Sequence, residues 1–129
     1  MEGLKIEAVR IPHSGWLTTR FDVENISWRV TLNETAAVLH MGDADPNDIH
    51  FARDASYWGK THIHMAFPLY WCFNSKGGSD ILKKRLKSDH SVGVHVPADS
   101  AQRPAGLSAH DLFTVPGETR TISVMKSSG

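Results

Sequence analysis

The chain has 129 residues, 40% of them hydrophobic, with 14 basic and 14 acidic side chains and eight histidines. One domain, residues 1–129, with a sizeable core is therefore expected. Balanced charge gives no electrostatic pull toward nucleic acid or an anionic membrane surface. The single cysteine, Cys72, excludes an internal disulfide and points to a reducing, cytoplasmic setting. The opening MEGLKIEAVR lacks the apolar run of a signal peptide, and no stretch reaches the length of a membrane span.

Leu4, Ile6 and Ala8 alternate with Lys5 and Glu7, which predicts a half-buried strand running into Ile11-Pro12-His13-Ser14-Gly15. Ile26, Trp28, Val30 and Leu32 alternate with Ser27, Arg29, Thr31 and Asn33 in a second strand. Asn33-Glu34-Thr35 predicts a hairpin turn into a third, Ala36 to Met41. Beyond Gly42, Asp45 suits a helix N-cap, Pro46 the first helical position and Asp48 the first turn, with Phe51, Ala52 and Ala55 following. A strand is expected over residues 61–67, ended by Pro68. Ser79 is the expected cap of a helix whose apolar stripe is Ile81, Leu82 and Leu86, with Lys83-Lys84-Arg85 on its solvated side. Ser91 to Val96 is expected as a strand, then a short helix near Leu107 to Phe113 and a strand around Thr121 to Val124. Strands and helices intermix, which predicts a layered α and β domain.

Three segments share one design: IPHSGW, LHMGDAD and GVHVP each set a metal-ligand residue type at the carboxyl end of an apolar strand, beside Pro or Gly. The residues are His13, Asp43 and His95. Strand ends are rigid while the loops beyond them are free to vary, so sites collect there. Imidazole with carboxylate suits zinc, iron or manganese. Asp45 and Asp48 are explained as helix-start acids; Asp43 is not. A second cluster is Thr61-His62-Ile63-His64, where period two brings both imidazoles to one face and the pair can chelate a metal. His40, His50, His90 and His110 fall at turns or helix ends and are expected in solvent, and Cys72 in an apolar stretch is expected to pack. Gly77-Gly78 lacks the Lys-Ser/Thr of a phosphate loop, and Ser14 beside His13 points away from it on a strand.

In order, PHSG, LHMGDADP, AFPLYW and VGVHVP resemble the carboxy-terminal half of metallo-β-lactamase-fold hydrolases, covering about residues 4–98. The resemblance implies half of a four-layer αββα sandwich: a mixed sheet with helices on one face and an apolar face left uncovered. It implies His13 and His95 as ligands of two different ions, and Asp43 as the bridging carboxylate and catalytic centre. It implies divalent metal, zinc first and iron or manganese next, activating water against an ester, lactone, amide or phosphodiester. The family's HxHxDH cluster belongs upstream of Leu4 and is absent. His62-Ile63-His64 follows the aspartate and leads into Met65-Ala66-Phe67, so it does not replace that cluster. Three ligands shared by two ions fall short of a tetrahedral shell. The resemblance therefore implies weak metal binding by one chain, completed by a second copy in a homodimer or by a separate amino-terminal half. Two further readings stand beside it. One is a cupin-like barrel, since GKTHIH and VPGET resemble cupin motifs, although the expected Glu after His64 is missing. The other is a non-catalytic interaction domain associating through its sheet face.

Overall fold

The alternating segments build two nine-residue strands, β1 (Leu4–Pro12) and β2 (Glu24–Leu32), antiparallel from Leu4 opposite Leu32 to Pro12 opposite Glu24. The structure is a computed structural model and describes residues 3–14 and 24–124. Asn33 and Glu34, both at positive φ, form the two-residue turn that the Thr35 amide closes onto the Leu32 carbonyl. Positive φ at both central positions matches the right-handed twist of a hairpin. It delivers β3 (Ala36–His40), antiparallel to β2. Helices α1 (Asp48–Arg53) and α2 (Ala55–Gly59) then cross to β4 (Met65–Phe67), which lies parallel to β3. Helix α3 (Lys76–Ile81), prolonged by a π-helical stretch (Leu82–Leu86), crosses to β5 (His90–Ser91), parallel to β4. The result is a mixed α+β fold on a five-stranded mixed sheet, in the order β1-β2-β3-β4-β5. Among the described residues no helix is long and apolar enough to cross a membrane.

The helices cover one sheet face. Ile11, Leu39 and Ala66 pack there with Phe51, Trp58, Ile81 and Leu86, and the Phe51 and Trp58 rings lie 4.8 Å apart. Strand β2 turns its polar positions to this layer: Ser27 and Arg29 are wholly buried. Ser27 donates to the Met41 carbonyl, and Arg29 pairs with Glu7 and lies 4.1 Å over the Tyr57 ring. The apolar positions of the same strand face the other way. Trp28, Ile26 and Leu32 each keep 45% of their surface in solvent and Ile6 keeps 56%. Hydrophobic alternation thus marks an uncovered face here, because a paired arginine occupies the covered one.

Several expected boundaries move. The cap of α1 is Asn47, whose side chain accepts from the Ile49 amide; Asp45 pairs instead with His50, at 3.2 Å. His50 is buried rather than solvated. Ser75, not Ser79, caps α3 by accepting from the Gly78 amide. The strand expected over residues 61–67 is regular only at Met65–Phe67, and the one from Ser91 only over His90–Ser91. Beyond it single bridges continue, Leu69 to Val94 and Gly93 to Leu112. Near the carboxyl end the helix is one turn, Leu107–Ala109, and residues 121–124 are irregular. Gly15 lies outside the described residues.

Candidate functional site

Asp43 is held by backbone on both sides. Gly42, at φ +66, turns the chain out of β3, and a Cβ there would stand 2.5 Å from Asn25 Oδ1. Only glycine fits that turn. The same Asn25 oxygen accepts the Asp43 amide at 2.8 Å, while Asn25 Nδ2 donates to the Met41 carbonyl at 3.0 Å. The loop after β1 clamps on: the Ser14 amide donates to the Asp43 carbonyl at 2.7 Å and the Asp45 amide to the Pro12 carbonyl at 2.8 Å. His13 and Ala44 thereby form an isolated bridge.

The structure brings all three predicted residues together. His13 Nε2 lies 3.3 Å from Asp43 Oδ2, and His95 Nε2 lies 3.4 Å from Asp43 Oδ1. Each carboxylate oxygen thus faces a different imidazole. His95 reaches this position at φ +60, a left-handed conformation that is uncommon outside glycine and recurs where function holds it. Its ring stacks near Trp71, with centroids 6.3 Å apart. A separate recess of about 500 Å³, lined by Arg103, Leu107, His110 and Asp111, includes none of the three.

The His13 ring has a defined proton. Nδ1 sits 2.9 Å from the Ser14 carbonyl, an acceptor only, so Nδ1 carries the hydrogen. In the neutral ring Nε2 then presents a lone pair to the Asp43 oxygen. Two electron-rich atoms at this separation need a proton or a cation between them. An Nδ1–H donated to a backbone carbonyl is also the arrangement that orients metal-binding histidines.

The second cluster differs. His62, His64 and Asp89 each offer a ligand atom, all within 4.8 Å of one another, and could hold a metal ion. His62 Nε2 lies 2.9 Å from Asp89 Oδ1, and the His62 and His64 rings meet edge to face at 4.9 Å. His62 heads the causes that hold the Asp89 carboxyl below its ordinary value, followed by burial acting the other way. But His64 Nδ1 accepts the Ala37 amide at 3.0 Å. That bond consumes the Nδ1 lone pair and leaves the hydrogen on Nε2. Ligation through His64 would cost the Ala37 hydrogen bond, whereas the neutral His13 ring carries its lone pair on Nε2.

Two participants had no strong sequence signal. Asp89 is distant in the chain and joins His62 only through the fold. His40, expected in solvent, is exposed, and its ring accepts the amide of Gly42, the residue before Asp43. Its position two residues before Gly42 was the only hint. No family model, curated protein or solved structure matches the chain.

Proposed function

We propose that the chain is a metal-dependent hydrolase-like domain of the metallo-β-lactamase kind, with Asp43 bridging two divalent ions that His13 and His95 ligate separately. The observation that carries this is the meeting of three strand-end residues, from distant parts of the chain, with one imidazole nitrogen on each Asp43 oxygen. The donor set suits zinc, and iron or manganese next. Metal bound there would supply an activated water for attack on an ester, lactone, amide or phosphodiester of a small molecule. The chain's own part is to hold the carboxylate rigidly through Asn25 and Ser14 and to keep the His13 Nε2 lone pair aimed inward.

Each ion would have two donors from these residues, so further ligands must come from another segment. A second copy, or a separate amino-terminal half, would supply them while covering Ile6, Ile26, Trp28 and Leu32. A reducing, cytoplasmic setting accords with the one buried thiol, Cys72.

The second reading, an interaction domain without chemistry, is favoured by the same uncovered apolar face. Metal analysis of purified protein separates the two. The hydrolase reading expects zinc, iron or manganese retained by the native chain, lost in Asp43→Ala and kept in the His62→Ala/His64→Ala double variant. No metal above a small fraction of an equivalent rejects it. Metal lost only in the double variant transfers the site to the cupin-like cluster. Light scattering on the same samples reports association, and a stable monomer at micromolar concentration would count against a partner on the sheet face.

A further inference from the structure

We infer that His40 is the neutral hydrogen-bond donor of the Asp43 site, presenting Nε2–H to an anionic oxygen of the ligand beside His13 and His95. The inference rests on the metal-site reading above and adds a contact to ligand that the three ligating residues do not provide.

Two features carry it. First, the Gly42 amide donates to His40 Nδ1 at 3.0 Å. Nδ1 is therefore an acceptor, and the ring's one hydrogen sits on Nε2. A ring in that form cannot ligate through Nε2 while it keeps this bond, but it can donate. This is the opposite of His13, whose Nδ1–H is spent on the Ser14 carbonyl. The two histidines are thus preset differently, one with a lone pair and one with an N–H at Nε2. Second, strand register places His40 in a lateral row on the uncovered face, opposite Trp28 on one side and Phe67 on the other. The Phe67 ring lies 6.1 Å away and itself stacks on Phe113 at 5.8 Å. The side chain is exposed, so a ligand can reach the ring from solvent.

The ligand chemistry that fits is a phosphoryl or carboxyl oxygen, or the oxyanion formed when a carbonyl is attacked. The function would be to hold that oxygen and to stabilise its charge. A merely structural role is distinguishable, because the two ring nitrogens can be replaced separately. Asn places its carbonyl oxygen near the Nδ1 position and lacks a donor at Nε2. Gln reaches the Nε2 position with an amide N–H and lacks the Nδ1 acceptor.

The test uses inorganic phosphate as probe on the zinc-loaded chain, by calorimetry, with zinc content measured on every sample. His40→Asn is expected to keep its zinc and to bind phosphate at least about tenfold more weakly, the loss of one hydrogen bond to a charged group. His40→Gln is expected to stay within about threefold of the native affinity. The reverse pattern, with Asn native-like and Gln impaired, would assign His40 to supporting the Gly42 turn and overturn the proposal. Equal affinity in all three proteins, or no phosphate binding by zinc-loaded native chain, would also overturn it. A native chain that binds no zinc removes the underlying metal reading, and this inference with it. Ring nitrogen shifts in the nuclear magnetic resonance spectrum give a direct check, since hydrogen on Nδ1 contradicts the premise.

Discussion

Replacing Glu7 by leucine probes how a polar strand position came to face the core. Arg29 is wholly buried, and its Nε lies 3.1 Å from Glu7 Oε1. The other Glu7 oxygen takes Lys60 Nζ at 2.6 Å. Removing Glu7 leaves a guanidinium in the interior with the Tyr57 carbonyl and ring as its remaining partners. Breaking a buried pair from one side costs about 3–5 kcal/mol, and the surviving Tyr57 contacts set the expectation near the lower end, about 3 kcal/mol. For a chain of this length that lowers Tm by about 10–15 °C. The double variant Glu7→Leu/Arg29→Met removes both charges and should be less destabilised than Glu7→Leu alone. The pH dependence has a defined sign. Lys60, then Arg29, hold the Glu7 carboxyl below its ordinary value of 4.5, against burial, which acts upward. A depressed folded-state pKa contributes stability that is fully present above 4.5 and is lost as pH falls through the folded value. The gap between native and Glu7→Leu urea midpoints should therefore narrow in acid. A single-variant cost under about 1 kcal/mol, or a double-variant loss equal to the sum of the singles, would refute the buried-pair account.

Four other expectations can be checked on the isolated chain. Gly78→Ala would set a Cβ 2.5 Å from Cys72 Cα and 2.8 Å from its carbonyl oxygen, backbone that cannot move aside, so a loss of about 1–3 kcal/mol is expected in urea unfolding. Gly59→Ala, with nothing within 4 Å, should instead gain about 0.5–1 kcal/mol. Burial pushes the Cys72 thiol up to about 12, so a thiol reagent at pH 8 should label it only after denaturation; rapid labelling of native protein would contradict its packing. Glu118 accepts the Thr114 and Val115 amides at 2.7 and 2.8 Å, and these bonds hold its carboxyl at about 2. A carbon-detected titration should find it ionised throughout mild acid, and an ordinary midpoint would dissolve the turn built around it.

Period-two alternation made β1 and β2 legible in the sequence, and the turn at Asn33 and Glu34 made β3 legible after them. The choice of face was not, because it depends on Arg29 finding Glu7 and Tyr57 across the fold. Cap positions failed for a related reason. Asp45, Asn47 and Asp48 are all competent near one helix start, and the buried His50 claims Asp45 and leaves Asn47 to cap. Strand β4 starts late because His64 completes two contacts of the ladder by other means: its amide donates to the Ala37 carbonyl and its ring accepts the Ala37 amide.

The contrast between the two histidine clusters goes further. His13, His62 and His64 are the same residue type in segments of similar pattern, and spacing favours the close pair at 62 and 64. Their chemistry is decided by the group that each Nδ1 meets. A carbonyl, as at Ser14, forces the hydrogen onto Nδ1 and frees Nε2 as a ligand. A backbone amide, as at Ala37 or Gly42, forces the hydrogen onto Nε2 and makes the ring a donor. No pattern of residue types encodes which backbone group will be there. Sequence order could therefore nominate His13, Asp43 and His95, but only the folded backbone separates an imidazole with an Nε2 lone pair from one with an Nε2–H, and it gives His40, against the Gly42 amide, the second form.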